Sequence, residues 1–201
     1  LGPLLFLFYI NDVADLTLSS EVSIFAGDVK LSGFGNVNED FVGIQNDLNI
    51  IARWSKTWQL PLSSSKCIVQ SFFTDYAPNY RIDDVQLEVV TVHKDLGILM
   101  SSNLKFNDFI SSMVKKSRAI SARIFRSFHN RSREFLIKMF CTFVRPILEY
   151  NDVVWSPYQI KYIDLVESVQ RQFTKRIPGM QTLSYLERLR ELKLESLELR
   201  R

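Results

Sequence analysis

The sequence predicts an α+β protein in two parts: an antiparallel sheet with packed helices up to about residue 102, then an all-helical region over 103–201. Three observations predict it. Alternating apolar stretches separated by turn-forming pairs crowd the first half. From Asn107 onward the apolar residues recur at helical spacing instead. Charge divides near the same place: residues 1–100 hold six Lys/Arg against twelve Asp/Glu, a net of −6, while residues 101–201 hold nineteen against ten, a net of +9. With 46% apolar residues in 201 positions, the chain has material for a core and is not expected to be disordered.

The elements follow in order. Pro3 sits where a helix starts at no cost, because its missing N–H is unpaired there anyway. Leu4–Leu16 reads as a largely buried helix, with Asn11, Asp12 and Asp15 on its polar side. The apolar run Leu4–Ile10 is shorter than the roughly 20 residues a bilayer span needs. No basic stretch precedes it, so neither a membrane span nor a signal peptide is expected. The chain opens at Leu1 rather than Met, which suggests part of a longer reading frame. Glu21–Ala26 alternates like a half-buried strand, and Val29–Phe34 can return beside it. Gly27-Asp28 between them suits a two-residue hairpin turn of type II′ or I′, which would put both at the tip.

Glu39–Trp58 carries Phe41, Ile44, Leu48, Ile51 and Trp54 or Ser55 on one helical stripe, with Asn36 or Asn38 as a cap. Pro61 and Ser63–Ser65 end it. Lys66–Phe73 predicts a strand. Tyr80–Ile82 and Gln86–Val90 flank the turn Asp83-Asp84. Lys94–Met100 predicts one further, central strand. Helices are expected over 107–129, 132–145, 161–177 and 184–199, punctuated by Pro146, Pro157 and Pro178. Cys67 and Cys141 lie far apart and no His sits at metal-ligand spacing, so reduced thiols without disulfides, in an intracellular (nuclear or cytoplasmic) protein, are expected.

A set of motifs runs collinearly along these elements. Leu1-Gly-Pro-Leu-Leu-Phe-Leu-Phe-Tyr-Ile-Asn-Asp12 is followed by Phe25-Ala-Gly-Asp-Val-Lys-Leu31. Then come Trp54-Ser-Lys-Thr-Trp-Gln59, Ser65-Lys-Cys67 and Lys94-Asp-Leu-Gly-Ile98. Arg145-Pro-Ile-Leu-Glu-Tyr150, Val154-Trp-Ser-Pro157 and Val169-Gln-Arg-Gln-Phe-Thr-Lys-Arg176 complete the series. Each is weak alone; together, in this order, they resemble the reverse transcriptase of a non-LTR retrotransposon of the jockey-like or LINE-like kind.

The resemblance implies RNA-directed DNA polymerase activity in the family. It also implies a partial palm over 1–102 and a basic, thumb-like helical region over 103–201. The implied partners are an RNA template and a DNA primer or their hybrid, and the implied cofactor is Mg²⁺. Such chemistry uses two divalent ions roughly 3.5–4 Å apart, held by several carboxylates. In the family one Asp comes from an upstream strand, expected before Leu1, and two from the turn that here reads Phe25-Ala26-Gly27-Asp28. Asp28 matches the second of that pair and is at most a weak, incomplete metal ligand. Gly27 stands where the first would be and has no side chain to offer. Asp12, Asp15 and Asp47 are spare acids that nothing in the spacing brings to Asp28. The chain is therefore expected to hold no Mg²⁺ productively and to be inactive in isolation. The bland reading of Asp28 is ordinary turn chemistry.

The other candidates follow the same resemblance. Lys66 matches a lysine able to act as general acid toward departing pyrophosphate; otherwise it is a solvated lysine at a strand start. Leu96 and Gly97 fall in what looks like the primer-grip strand, where glycine lets backbone approach closely. In the helical half, Lys115, Arg118 and Arg126 share a broad face, with Lys116 and Arg123 beside it. That face suits sequence-independent, salt-dependent contact with phosphates. Phe125, Phe128, Trp155 and Tyr158 are expected to serve the core rather than to stack on bases. The alternative readings are a non-catalytic nucleic-acid-binding module and an inert structural remnant.

Overall fold

The computed structural model describes residues 1–16, 18–34, 38–74, 76–129 and 131–201, without the side chains of residues 38–40. The chain forms two compact units, Leu1–Val92 and His93–Arg201. The sequence expectation placed the division near residue 102. Ile98, only 3% exposed, belongs to the helical core instead, with Met100 packed against it.

In the first unit, α1 (Gly2–Asn11) runs into a short 3-10 turn, Asp12–Asp15. β1 (Glu21–Phe25) and β2 (Asp28–Ser32) form an antiparallel hairpin, pairing Glu21 with Ser32 and Phe25 with Asp28. The long helix α2 (Asn38–Thr57) follows. Of its two expected caps, Asn36 lies outside the described residues, as does the side chain of Asn38. The stripe on α2 serves two small cores. Phe41, Ile44 and Leu48 pack on Ala52, Val69, Tyr80, Ile82 and Leu87, while Ile51 and Trp54 pack with Ile10 and Val13.

The expected buried helix Leu4–Leu16 is a correction. Only Ile10 of α1 is buried, and Leu4 and Phe8 are 61% and 76% exposed. Its residues are apolar all round, so one face against the unit leaves the remaining faces uncovered.

The remaining strands are short: β3 (Ile68–Val69), β4 (Arg81–Ile82), β5 (Val85–Gln86) and β6 (Glu88–Val89). β4 and β5 close antiparallel around Asp83-Asp84, and β3 pairs with β6 in parallel. Among the described residues no sheet exceeds two strands, in place of the single antiparallel sheet expected. The expected strand Lys66–Phe73 shrinks to two residues because Ser64–Lys66 forms a 3-10 turn and Phe73 adopts a positive φ of 57°. Left-handed residues turn the chain before a ladder can lengthen.

The second unit begins within β7 (Val92–Asp95), which pairs with β8 (Ile98–Ser101). The central strand expected over Lys94–Met100 is thus a hairpin. Leu96 and Gly97 take φ values of 44° and 87°, and two successive left-handed residues reverse the chain. Helices α3 (Asn107–Ser127), α4 (Arg133–Met139), α5 (Arg145–Leu148), α6 (Asp152–Trp155), α7 (Ile160–Lys175), α8 (Tyr185–Leu192) and α9 (Leu197–Arg200) make up the rest. α4 and α5 join through five π-helical residues, Phe140–Val144. That register shift lets the helix continue past Pro146, which has no N–H to donate.

The helix expected over 184–199 divides. Lys193, in the left-handed region, ends α8, and the Leu194 N–H reaches back to the Leu189 carbonyl at 2.9 Å. Ser196 then caps α9. α8 opens with a capping box between Ser184 and Glu187. The core runs through Phe125, Leu136, Phe140, Trp155, Val166 and Phe173. Phe173 meets the rings of Phe125 and Phe140 at 4.8 and 4.9 Å between centroids.

Candidate functional site

The turn that carries the family resemblance sits at the end of the β1–β2 hairpin. Its two turn residues are Ala26 and Gly27 rather than Gly27 and Asp28, because Asp28 is the first residue of β2 and pairs with Phe25. The positive φ, 52°, falls on Ala26, and Gly27 does not occupy the left-handed region. A Cβ at Gly27 would meet only the Phe6 ring of α1, at 3.4 Å, which is ordinary contact. The local backbone therefore does not require glycine there, and an aspartate fits the position. Asp28 itself is exposed.

The spare acids do not complete a site. Asp47, 2% exposed, accepts from the Ser19 N–H at 3.0 Å, from the Ser20 N–H at 2.7 Å and from both serine hydroxyls. Burial pushes this carboxyl upward, but the serine hydrogen bonds together outweigh it and hold it below its ordinary range. Its oxygens are committed to fixing the loop that leads into β1. Asp12 and Asp15 sit exposed on the 3-10 turn after α1. Among the described residues no three or more His, Cys, Asp or Glu side chains gather where a metal ion could be held. One exposed carboxylate beside a glycine does not fit a two-ion centre.

Lys66 is exposed at the end of the Ser64–Lys66 turn, two residues before β3. Leu96 and Gly97 form the exposed tip of the β7–β8 hairpin. The Tyr150 hydroxyl donates to the Leu96 carbonyl at 2.8 Å. Its ring lies so close to Gly97 that a Cβ there would meet it at 3.4 Å. Tyr150 thus holds the tip in a conformation that glycine favours.

Lys115, Lys116, Arg118, Arg123 and Arg126 are all exposed on α3. At 3.6 residues per turn, Lys115, Arg118 and Arg126 share one side and Lys116 and Arg123 another. Phe125 is buried, whereas Phe128 is 42% exposed and makes an edge contact with Phe135. Trp155 is buried and its indole N–H donates to the Tyr150 carbonyl, while Tyr158 is 83% exposed, so only Trp155 of that pair serves the core. The sequence reading did not connect Arg118 with Arg176 and Gln172 of the α7 side. These three line one groove, together with Ser121, Phe125 and Phe173. The signal available beforehand was their helical spacing on α3 and α7; the pairing of those two helices was not.

Both cysteines are free thiols. Among the described residues no helix is long and apolar enough to cross a membrane. No family model and no solved structure matches the chain. In an alignment of 191 positions that covers 89% of the chain, it is 24% identical to the "Probable RNA-directed DNA polymerase from transposon X-element" of Drosophila melanogaster. It spans about a fifth (21%) of that protein's length. This distant likeness supports kinship at the level of family with the RNA-directed DNA polymerases of retrotransposons.

Proposed function

We propose that the chain is a palm-and-thumb portion of a non-LTR, jockey-like reverse transcriptase whose catalytic turn has lost a carboxylate and which does not polymerise by itself. The carrying observation is the hairpin end Phe25-Ala26-Gly27-Asp28, which lies within a likeness to a transposon polymerase covering 89% of the chain. In this reading the partners are an RNA template and a DNA primer, inside the cell. The cations of α3 meet the phosphates of their hybrid. Leu96 and Gly97 present a fixed backbone tip to the primer. Lys66 keeps an ancestral place near the nucleotide. Asp28 is a remnant that now serves the hairpin.

Primer extension tests it: a labelled DNA primer on an RNA template, with all four deoxynucleotides and Mg²⁺ or Mn²⁺. No incorporation by the 201-residue chain is expected. Template-dependent incorporation that disappears in Asp28→Ala would overturn the reading of lost activity. A second reading, a nucleic-acid-binding module without catalysis, is favoured over an inert remnant by one observation. None of Lys115, Lys116, Arg118, Arg123 and Arg126 has an ion-pair partner among the described residues. Hybrid binding that weakens steeply with salt supports it, and no binding at low salt removes it.

A further inference from the structure

We infer that the groove between α3 and α7 holds a backbone phosphate of a nucleic-acid strand between the guanidinium groups of Arg118 and Arg176. The floor is apolar and rigid: Phe125, Val169 and Phe173 are each buried to 2% exposure or less. Arg118 and Ser121 rise from α3, and Gln172 and Arg176 from α7 and its end, around a cavity of about 130 Å³.

Both guanidinium groups are anchored, and neither anchor is a carboxylate. Arg118 reaches across the seam and donates to the Ser168 hydroxyl at 2.8 Å, and that hydroxyl donates to the Leu165 carbonyl. Arg176 lies over the Phe125 ring, 3.9 Å from its centroid. Arg131 approaches the same ring at 5.6 Å and donates to the Phe125 carbonyl. Some arginines of the unit behave differently, although Arg123, Arg126 and Arg190 also have no ion pair among the described residues. Arg133, Arg145, Arg171 and Arg200 each stand within 4 Å of an Asp or Glu. No Asp or Glu lines the groove, and none pairs with Arg118, Arg131 or Arg176 among the described residues. Anchored cations that line one groove without a counter-charge favour an anion from outside. The flat fork of arginine suits the paired oxygens of a phosphate.

Size and surroundings narrow the ligand. Pockets for drug-sized molecules measure about 300–1,000 Å³, so this one takes a small anionic group rather than a whole nucleotide. Lys115 and Arg126 continue the row on the same side of α3. From Lys115 to Arg126 is about 16 Å at ~1.5 Å per residue. A strand carries one phosphate per ~3.4 Å of helix axis, so the row extends over several phosphates. A polymer uses the whole row; free phosphate uses only the groove.

This inference rests on the nucleic-acid reading of α3, with which it shares Lys115, Arg118 and Arg126, and adds Arg176 and the α7 side of the groove. Failed primer extension leaves it standing, and its own failure leaves the polymerase reading standing. The test is anisotropy of a labelled RNA–DNA hybrid bound by the full chain over a range of salt. Arg118→Gln, Arg176→Gln and Arg176→Lys are compared with Arg190→Gln, which removes one charge from α8 away from the groove. Arg118→Gln and Arg176→Gln are expected to weaken binding about 5–30-fold at low salt, and each to reduce the slope of log affinity against log salt by about one. Arg176→Lys is expected to recover the slope but not the full affinity, and Arg190→Gln to change affinity less than about twofold. Losses at Arg118 and Arg176 no greater than at Arg190 overturn the proposal. Circular dichroism checks folding. If Arg176→Gln loosens Phe125, Arg118→Gln decides the matter alone, since Arg118 donates to the half-buried Ser168 hydroxyl rather than lying over a core ring. Titration with inorganic phosphate at constant ionic strength separates the sources. Saturable phosphate binding lost in both glutamine variants, with hybrid affinity unchanged, would assign the groove to free phosphate and overturn the nucleic-acid assignment.

Discussion

The two units bury their apolar residues in different ways. Among the described residues, the helical unit gathers eighteen in one cluster from Ile98 to Leu197, while residues 1–92 divide theirs between a group of five and a group of four. The reason lies in element length. α3 and α7 present 21 and 16 residues, several turns each, so apolar stripes meet over their length. Strands of two residues present one inward side chain apiece, and their satellite cores cannot cover α1. Sequence composition is similarly apolar in both regions. What differs is whether local geometry lets those residues reach one another.

The sharpest way to break this comparison is a cavity in the large core. Phe140→Ala is expected to cost about 3–5 kcal/mol, read by hydrogen exchange of α3 and α7 amides. A loss below about 1 kcal/mol would mean that the eighteen-residue cluster is not one cooperative core.

Next comes the buried carboxylate of the first unit. Asp47→Ala removes an ionised acceptor from two N–H groups and two hydroxyls, at about 1.5–3 kcal/mol, measured by hydrogen exchange of β1 and α2. Because the folded carboxyl is held low, its contribution is present above about pH 4 and lost as pH falls through the folded value. Asp47→Asn should therefore flatten the acid limb of this unit. An unchanged acid limb would show that the serine loop is not what Asp47 stabilises.

The helical unit carries the opposite dependence. Burial, first, and then the hydrogen bond to Glu167 push the Tyr185 hydroxyl well above its ordinary range. Its stabilisation is complete below about pH 10 and is lost as pH rises further. Tyr185→Phe should cost about 1–2 kcal/mol at neutral pH and remove that alkaline limb. Denaturant titrations at pH 7 and pH 11 would show it, and parallel losses in both proteins would refute it.

Smaller effects test local design. Ser184→Ala deletes one half of the α8 capping box and should cost about 1 kcal/mol by thermal melting. Gly27→Asp should shift stability by less than about 0.5 kcal/mol, since the position is exposed and outside the left-handed region. A loss above 2 kcal/mol there would make the glycine a structural requirement rather than a lost ligand.

Much of the helical unit was legible beforehand. The 3.6-residue spacing located α3 and α7 to within two residues of their ends, and the helix expected from 184 begins at Tyr185. The β1–β2 hairpin was legible from alternation, although the turn fell one residue earlier, on Ala26-Gly27. The strand expected through Leu96-Gly97 was not. An apolar run cannot tell a straight strand from two arms of a hairpin, and only Gly97 hinted at the reversal. α1 misled for a related reason: apolar composition states that burial is favourable, not that a partner surface is present.

By itself the sequence determined the helical periodicity, the charge division, the motif series and the absence of a side chain at Gly27. These are properties of local spacing and chemical identity, fixed before any part of the chain meets another. Tertiary structure alone decided that Asp47 is spent on two serines, that Tyr150 holds the Leu96–Gly97 tip, and that Arg118 faces Arg176 across a groove. Each joins residues 27 to 58 positions apart, and which helix packs against which follows from competition among many apolar faces that no single stretch of sequence records.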